Sequence, residues 1–226
     1  MVEIKTYTLP PTRLIPNSPN VLIHYPRLLF SEVSSTSFSP STIYNLFASN
    51  GWTTHWIARY GPTQPSHYHS GAHECMVVIS GSGATIRFGV ADTLSDGEAH
   101  THGDGHEDGG VELKAQLGDV FILPAGVAHK TFDPRPEVDE MKFYHLEEEV
   151  IGDEGRAKKY FEEVELKGEF MMMGAYPEGD RWDFMMGGEH EGRFPEVWGL
   201  RKPGKDPVLG ISGEGICGLW KEGLSS

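Results

Sequence analysis

The chain has 226 residues, 38% hydrophobic and 23% charged, with 28 glycines and 15 prolines. That is enough chain for one substantial core, and so many turn formers suit an all-β protein better than a helical one. The 33 acidic residues outnumber the 19 basic ones, leaving a net charge of −14 that repels nucleic acid and anionic membrane surfaces.

The basic runs Arg156–Lys159 and Arg201–Lys205 are short and sit beside acidic residues. No apolar stretch approaches the roughly 18–20 residues of a bilayer span. Met1–Arg13 mixes charge, threonine and proline without an apolar signal core, so a cytoplasmic location is expected. Cys75 and Cys217 are too few for a disulfide framework and read as thiols.

One domain is expected over residues 1–226, in three stretches: an arm and helix over 1–51, a β-rich body over 52–133, and an acidic helical insert, closing strand and tail over 134–226. In the arm, Lys5–Thr8 and Val21–Tyr25 are β-prone pieces broken by Pro10, Pro11, Pro16 and Pro19. A Ser/Thr/Pro linker follows over 31–42. A helix then starts at a Ser39 cap and Pro40, carries Ile43, Leu46 and Phe47 on one face, and stops at Asn50-Gly51.

The runs Thr54–Tyr60, Cys75–Ile79, Ala84–Phe88 and Asp119–Leu123 have strand length and end at glycine or proline. Residues 91–110 are rich in Asp, Glu, Gly and His, a composition that predicts a mobile loop. Residues 134–166 read as acidic and partly helical, with a helix over 156–163. A buried strand is expected around Glu169–Met173, followed by a Gly/Pro-rich tail anchored by Tyr176, Trp182, Phe184 and Trp220.

Two segments carry the chemistry. In the first, Gly61 leads to His67-Tyr-His69, then Glu74 and Gly81. Histidines at i and i+2 in extended chain point to one face, and a short Ser-Gly-Ala turn can bring a carboxylate back to them. Such a nitrogen and oxygen set suits Fe, Mn, Ni, Co or Zn. In the second, Gly118–Leu123 is followed by Pro124-Ala-Gly126, then His129 and Asp133. This reads as strand, turn and a strand that begins with histidine.

Together the segments resemble both halves of the cupin signature, G-x5-H-x-H-x4-E-x6-G and G-x5-P-x-G-x2-H-x3-N, with Asp133 in place of the final Asn. The chain also resembles a group of single-domain microbial and fungal cupins of unassigned activity. That likeness rests on Leu9-Pro-Pro11, Ile15-Pro-Asn17, Asn50-Gly-Trp52, His73-Glu74, Gly174–Gly179, Trp182-Asp183, Asp206-Pro-Val208 and Leu219-Trp220. It implies a jelly-roll β-barrel with one divalent transition metal per chain, held by His67, His69, Glu74 and His129. It also implies assembly as a homodimer.

It does not imply a reaction, because one fold hosts many. The function expected is a metal-dependent enzyme acting on a small organic molecule inside the barrel. Fe(II)-type oxygenation, as in a mononuclear dioxygenase, leads, with metal-assisted decarboxylation or isomerisation beside it. The alternative is a non-catalytic cupin that binds a metal and a small molecule.

His100, His102, His106 and Glu107 repeat the spacing of His67 to Glu74, but Asp-Gly-Gly follows them instead of an apolar strand. They read as a solvated loop. His73, one residue before Glu74, should leave the chain on the opposite face. Strand parity puts Met76 and Val78 on the face of Glu74, and Thr131 and Asp133 on that of His129. Trp56, Phe88 and Phe121 or Leu123 either complete an apolar pocket or are plain barrel core. Met171–Met173 reads as core strand.

Overall fold

The computed structural model describes residues 2–222. In chain order the strands are β1 Lys5–Tyr7, β2 Leu22–Tyr25, β3 Trp52–Arg59, β4 Glu74–Ser80, β5 Gly83–Phe88, β6 Val111–Ala115, β7 Val120–Leu123, β8 His129–Arg135, β9 Lys142–His145 and β10 Met171–Pro177. The helices are α1 Phe30–Val33, α2 Pro40–Ser49, α3 Gly97–His102, α4 Glu148–Ile151, α5 Glu154–Glu162, α6 Phe194–Trp198 and α7 Ile216–Leu219. Among the described residues, no helix is long and apolar enough to cross a membrane.

Two antiparallel sheets form the body. The larger has the order β1-β2-β7-β4-β10-β3-β9, and the smaller β6-β5-β8. The chain crosses from large to small sheet between β4 and β5 and again between β7 and β8, while β4 pairs with β7 and β5 with β8. Two paired strands rolled together over both layers are what makes a jelly roll. The hydrogen-bonded ladders leave two separate sheets among the described residues, so the layers meet through side chains and not through a closed barrel.

Strand parity sorts the core. On β4, Cys75, Val77 and Ile79 face one side of the large sheet, where Ile43 and Phe47 of α2, Phe161 of α5 and Ile216 of α7 cover them. Met76 and Val78 face the other side and meet Ile86 and Phe88 of the small sheet. With both faces covered, β4 reads as an unbroken apolar run. The three methionines of β10 divide the same way: Met171 and Met173 toward the helices, Met172 toward the small sheet.

Helix α2 begins where its sequence predicts. The Ser39 side chain accepts a hydrogen bond from the Ser41 N–H and Pro40 occupies the first turn. Cys75 and Cys217 are free thiols.

Three expectations need correction. The linker over 31–42 contains most of α1. The stretch 134–166 includes β9, which pairs with β3.

The third concerns residues 91–110, which are packed and not a solvated ornament. Arg87 of β5 and Lys130 of β8 project from the outer face of the small sheet and are buried. The insert supplies their partners. Arg87 donates to the carbonyls of His100 and Thr101 at 2.9 and 2.7 Å, and Lys130 pairs with Asp92 at 3.1 Å. Glu107 accepts from the Thr12 hydroxyl and from the N–H groups of Leu14 and Ala91. Polar composition here reflects polar partners under the insert, because a buried cation needs a carboxylate or carbonyl within reach.

Candidate metal centre

The first segment is extended but short of a strand. The N–H of His67 donates to the carbonyl of His129 at 3.1 Å, and that of His129 donates back at 2.8 Å. This bridge joins the two segments across the gap between the sheets. The Pro124–Gly126 turn makes the approach possible. Gly126 has φ +90°, and a Cβ there would stand 2.4 Å from the carbonyl oxygen of Asn17. Glu74 opens β4 and returns on the same side.

The structure therefore brings His67, His69, Glu74 and His129 together. One ring nitrogen from each histidine lies within 4.8 Å of the others, and this cluster could hold a metal ion. The Glu74 carboxylate lies 3.4 Å from Nε2 of His69 and 3.1 Å from Nε2 of His129. Two ligands at right angles around an ion, each about 2.1 Å from it, stand about 3.0 Å apart. All four side chains are buried.

The outer nitrogens are pinned. Nδ1 of His67 bonds the carbonyl of Pro65 at 3.2 Å, Nδ1 of His129 that of Val127 at 3.4 Å, and Nδ1 of His69 that of Asp183. A ring that donates from Nδ1 to a carbonyl keeps Nε2 as a lone-pair donor, the tautomer a metal needs. Glu74 Oε2 is buried without a hydrogen-bond partner among the described residues. A buried carboxylate oxygen left so is expensive unless a cation faces it. The residues present thus fit a divalent ion on chemical grounds.

Burial and neighbouring charge act on the four groups in different directions. Burial, with His129 and His69 nearby, holds His67 well below the ordinary imidazole range. Burial also lowers His129, against the pull of Glu74. For His69 burial acts downward but is outweighed by the Glu74 carboxylate, so its pKa rises. Glu74 is likewise pushed up by burial and pulled further down by His69 and His129. The carboxylate stays charged.

A cavity of about 300 Å³ opens above these residues. Its walls are Trp56, Tyr60, Phe143, Tyr176, Trp182 and Phe184, with Gln64, Pro65 and Met141 between them. The Phe184 ring stacks on His67 at 4.1 Å, and Trp182 lies parallel to Tyr176 at 6.2 Å. Tyr176 Oη receives a hydrogen bond from Trp56 Nε1 at 3.1 Å and stands 3.4 Å from Nε2 of His69.

The tail holds its aromatics here as a strap. Met185 and Tyr68 exchange backbone hydrogen bonds, and the Asp183 carboxylate accepts from the N–H and hydroxyl of Ser70. The sequence marks Tyr176, Trp182 and Phe184 as anchors of the tail and carries no motif that assigns Met141, Phe143, Tyr60 or Gln64 to the site. The pairing of Trp182 with Asp183, the residue that holds the strap down, was the available signal.

Other expected site residues lie elsewhere. Trp56 lines the cavity, but Phe88, Phe121, Leu123, Met76 and Val78 form the core beneath it. Asp133 turns out of the site: its N–H donates to the Pro62 carbonyl, and its carboxylate lies 3.5 Å from His102. Its φ of +52° redirects the strand, which breaks the parity argument at that position.

His73 points away, as its parity requires, and bonds Ala125 and Arg201. His100, His102 and His106 do not converge. His100 faces Asp92 and Lys130, His102 faces Asp133, and His106 bonds the Glu107 carbonyl.

No family model matches the chain. It is 23% identical over 220 residues to "Uncharacterized protein YjlB" of Bacillus subtilis (strain 168), covering 96% of this chain and 97% of that one. Similar solved structures include vicilin from Solanum lycopersicum (11% identity, 76% of this chain and 34% of that chain, TM-score 0.32). They also include RmlC from Streptococcus suis in complex with dTDP-D-xylose (8% identity, 80% and 72%, TM-score 0.32). A third is hydroquinone 1,2-dioxygenase PnpCD in complex with Cd2+ and 4-hydroxybenzonitrile (14% identity, 57% and 59%, TM-score 0.27). The chain spans about a third or less of the seed globulins and vicilins it matches. At these scores the likeness carries no weight for function; the fold rests on the strand topology itself.

Proposed function

We propose that this chain is a single-domain cupin that binds one divalent transition metal through His67, His69, Glu74 and His129 and acts on a small organic molecule in the cavity above it. The observation that carries the reading is the arrangement of the three histidines. Each is tied at Nδ1 to a backbone carbonyl, and the rings converge on a buried carboxylate with an oxygen that has no other partner. A bound ion would supply Lewis acidity and, with iron, redox capacity toward O2.

The chain's own residues bind and orient. Glu74 offsets one of the ion's two charges. Trp182, Phe184 and Trp56 shed water from the cavity, and Tyr176, fixed by Trp56, offers a hydroxyl beside His69. Oxygenation is the leading chemistry, because the cavity walls offer few groups for proton transfer. Burial, next to Glu74, pushes the hydroxyls of Tyr60 and Tyr176 far up. The same observation favours the second reading, a binding protein without turnover.

One experiment separates these outcomes. The protein and its His67→Ala, His69→Ala, His129→Ala and Glu74→Gln variants are purified anaerobically, analysed for metal, and screened for O2 uptake with small enols, phenols and thiols. Metal near one equivalent in the parent and lost from the histidine variants supports the site. Catalytic O2 consumption supports the oxygenating enzyme, and a metal-loaded chain that consumes none argues against oxygenation and leaves metal-assisted decarboxylation or isomerisation beside the binder. Metal retained in all four variants refutes the proposal.

A further inference from the structure

We infer that residues 180–186 form a latched strap whose closed position holds His67 and His69 in their ligating orientation, with Asp183 as the positioning residue. Strap closure and retention of the ion are then one coupled equilibrium; this rests on the metal-site reading for the ion itself.

Glycines bound the strap. Gly179 has φ +90°, and Gly187 and Gly188 have φ +133° and +91°, a region that glycine enters without steric cost. Both ends are tied down beyond these points: Gly179 closely follows the end of β10, and the Gly188 N–H donates to the Leu14 carbonyl at 2.8 Å. The residues between them run alongside His67–Ser70. Trp182 and Phe184 line the cavity, while Asp183 between them faces Ser70. Both rings are about half exposed, so the strap is a single layer between the cavity and solvent. Such a segment can lift without opening the core.

The inner side of the strap touches the ligands. Phe184 stacks on His67 at 4.1 Å, and Trp182 lies edge-on to His69 at 6.1 Å. The Nδ1 partners of His67 and His129 are the carbonyls of Pro65 and Val127, each two residues upstream. His69 differs. Its Nδ1 partner is the Asp183 carbonyl, 114 positions further along the chain. A ring that loses this partner is free to turn and to change tautomer, and Nε2 then no longer presents its lone pair to the ion.

One side chain latches the strap. The Asp183 carboxylate accepts from the Ser70 N–H at 2.7 Å and from the Ser70 hydroxyl. Backbone hydrogen bonds between Tyr68 and Met185, at 2.8 and 3.0 Å, continue the contact. The fit is close at Gly71, where a Cβ would stand 2.5 Å from the Arg181 carbonyl oxygen. Because the latch orders His69, closing the strap tightens the ion, and by linkage the ion favours the closed strap by the same factor.

Asp183→Ala removes the latch. Asp183→Asn keeps an acceptor and a donor for Ser70, and Gly71→Ala wedges the strap away without touching Asp183. Amide hydrogen exchange of the full-length chain is measured with and without zinc, and zinc release to excess chelator is timed. A hydrogen bond to a charged group shifts an equilibrium by about tenfold or more. Zinc is therefore expected to slow exchange over 181–186 in the parent by about tenfold. Asp183→Ala and Gly71→Ala are each expected to release zinc about tenfold faster or more, and to exchange faster over 181–186, with exchange in β4 and β10 unchanged. Asp183→Asn should stay within about threefold of the parent.

Unchanged zinc release in either folded alanine variant, or release from Asp183→Asn as fast as from Asp183→Ala, overturns the latch. Strap exchange that bound zinc fails to slow overturns the coupling. A parent that takes up no zinc refutes the metal-site reading and the coupling with it, and exchange over 181–186 in the zinc-free variants then decides the latch alone.

Discussion

His73 should make the fold acid-sensitive independently of any metal. Its Nδ1 accepts a hydrogen bond from the Ala125 N–H at 3.0 Å, while Nε2 donates to the Arg201 carbonyl at 3.2 Å. That pattern requires the neutral ring, because protonating Nδ1 sets two donors against each other. Burial lowers the pKa from 6.5 to about 4, against a smaller upward pull from the Arg201 carbonyl.

The sign follows from proton uptake. An unfolded chain protonates this residue near 6.5 and the folded chain only near 4, so stability is lost as pH falls between those values and the loss levels off below about 4. A shift of about 2.5 units at 1.36 kcal/mol each is about 3 kcal/mol, of which roughly 2.4 kcal/mol falls between pH 7 and pH 4.5.

His73→Asn keeps an acceptor for Ala125 and removes the titration. Urea unfolding in EDTA, at both pH values, should show the parent losing about 2–3 kcal/mol more than the variant. Other buried histidines such as His55, lowered to about 4 by burial, cancel in that difference. If the variant loses as much stability as the parent on acidification, the neutral-ring account of His73 is refuted.

Gly174→Ala would set a Cβ 2.0 Å from the Trp56 ring and displace it from Tyr176. Destabilisation of about 2–4 kcal/mol is expected from overpacking plus one lost hydrogen bond, and a change below half a kcal/mol in urea unfolding would contradict it. Glu107→Ala removes three hydrogen bonds, two that tie the 91–110 insert to the arm and one, from Ala91, within the insert. It should cost about 2–3 kcal/mol while leaving metal content unchanged; loss of metal would show that the insert shapes the site. Bound metal should leave as pH falls toward about 5, because three imidazoles must be neutral to hold it. Metal content that survives dialysis from pH 7.5 to about 4.5 speaks against three-histidine ligation.

The ligand cluster was legible because its geometry is local. Histidines at i and i+2, a short turn to Glu74, and a Pro-x-Gly turn before His129 each constrain a few neighbouring residues. Parity likewise grouped Met76 and Val78 on one face of β4, the side that meets the small sheet. The cavity was not legible, since Trp182 and Phe184 arrive from more than a hundred residues away and are held by Asp183 on Ser70. Met141 and Phe143 arrive with β9, an edge strand in a stretch whose acidity hid its pairing with β3. Parity failed at Asp133 because a left-handed residue resets the alternation. The insert misled because its polar composition does not reveal that the charges of Arg87 and Lys130 lie buried beneath it, answered by its own carbonyls and Asp92.

The most direct test of the metal site is anomalous diffraction at the zinc edge from a crystal of the zinc-loaded full-length chain. One peak is expected per chain, among Nε2 of His67, His69 and His129 and the carboxylate of Glu74, at about 2.0–2.3 Å from each. A peak at His100, His102 or His106 with none between the sheets, or a central peak that lacks Glu74 or any of the three histidines, would contradict the assignment.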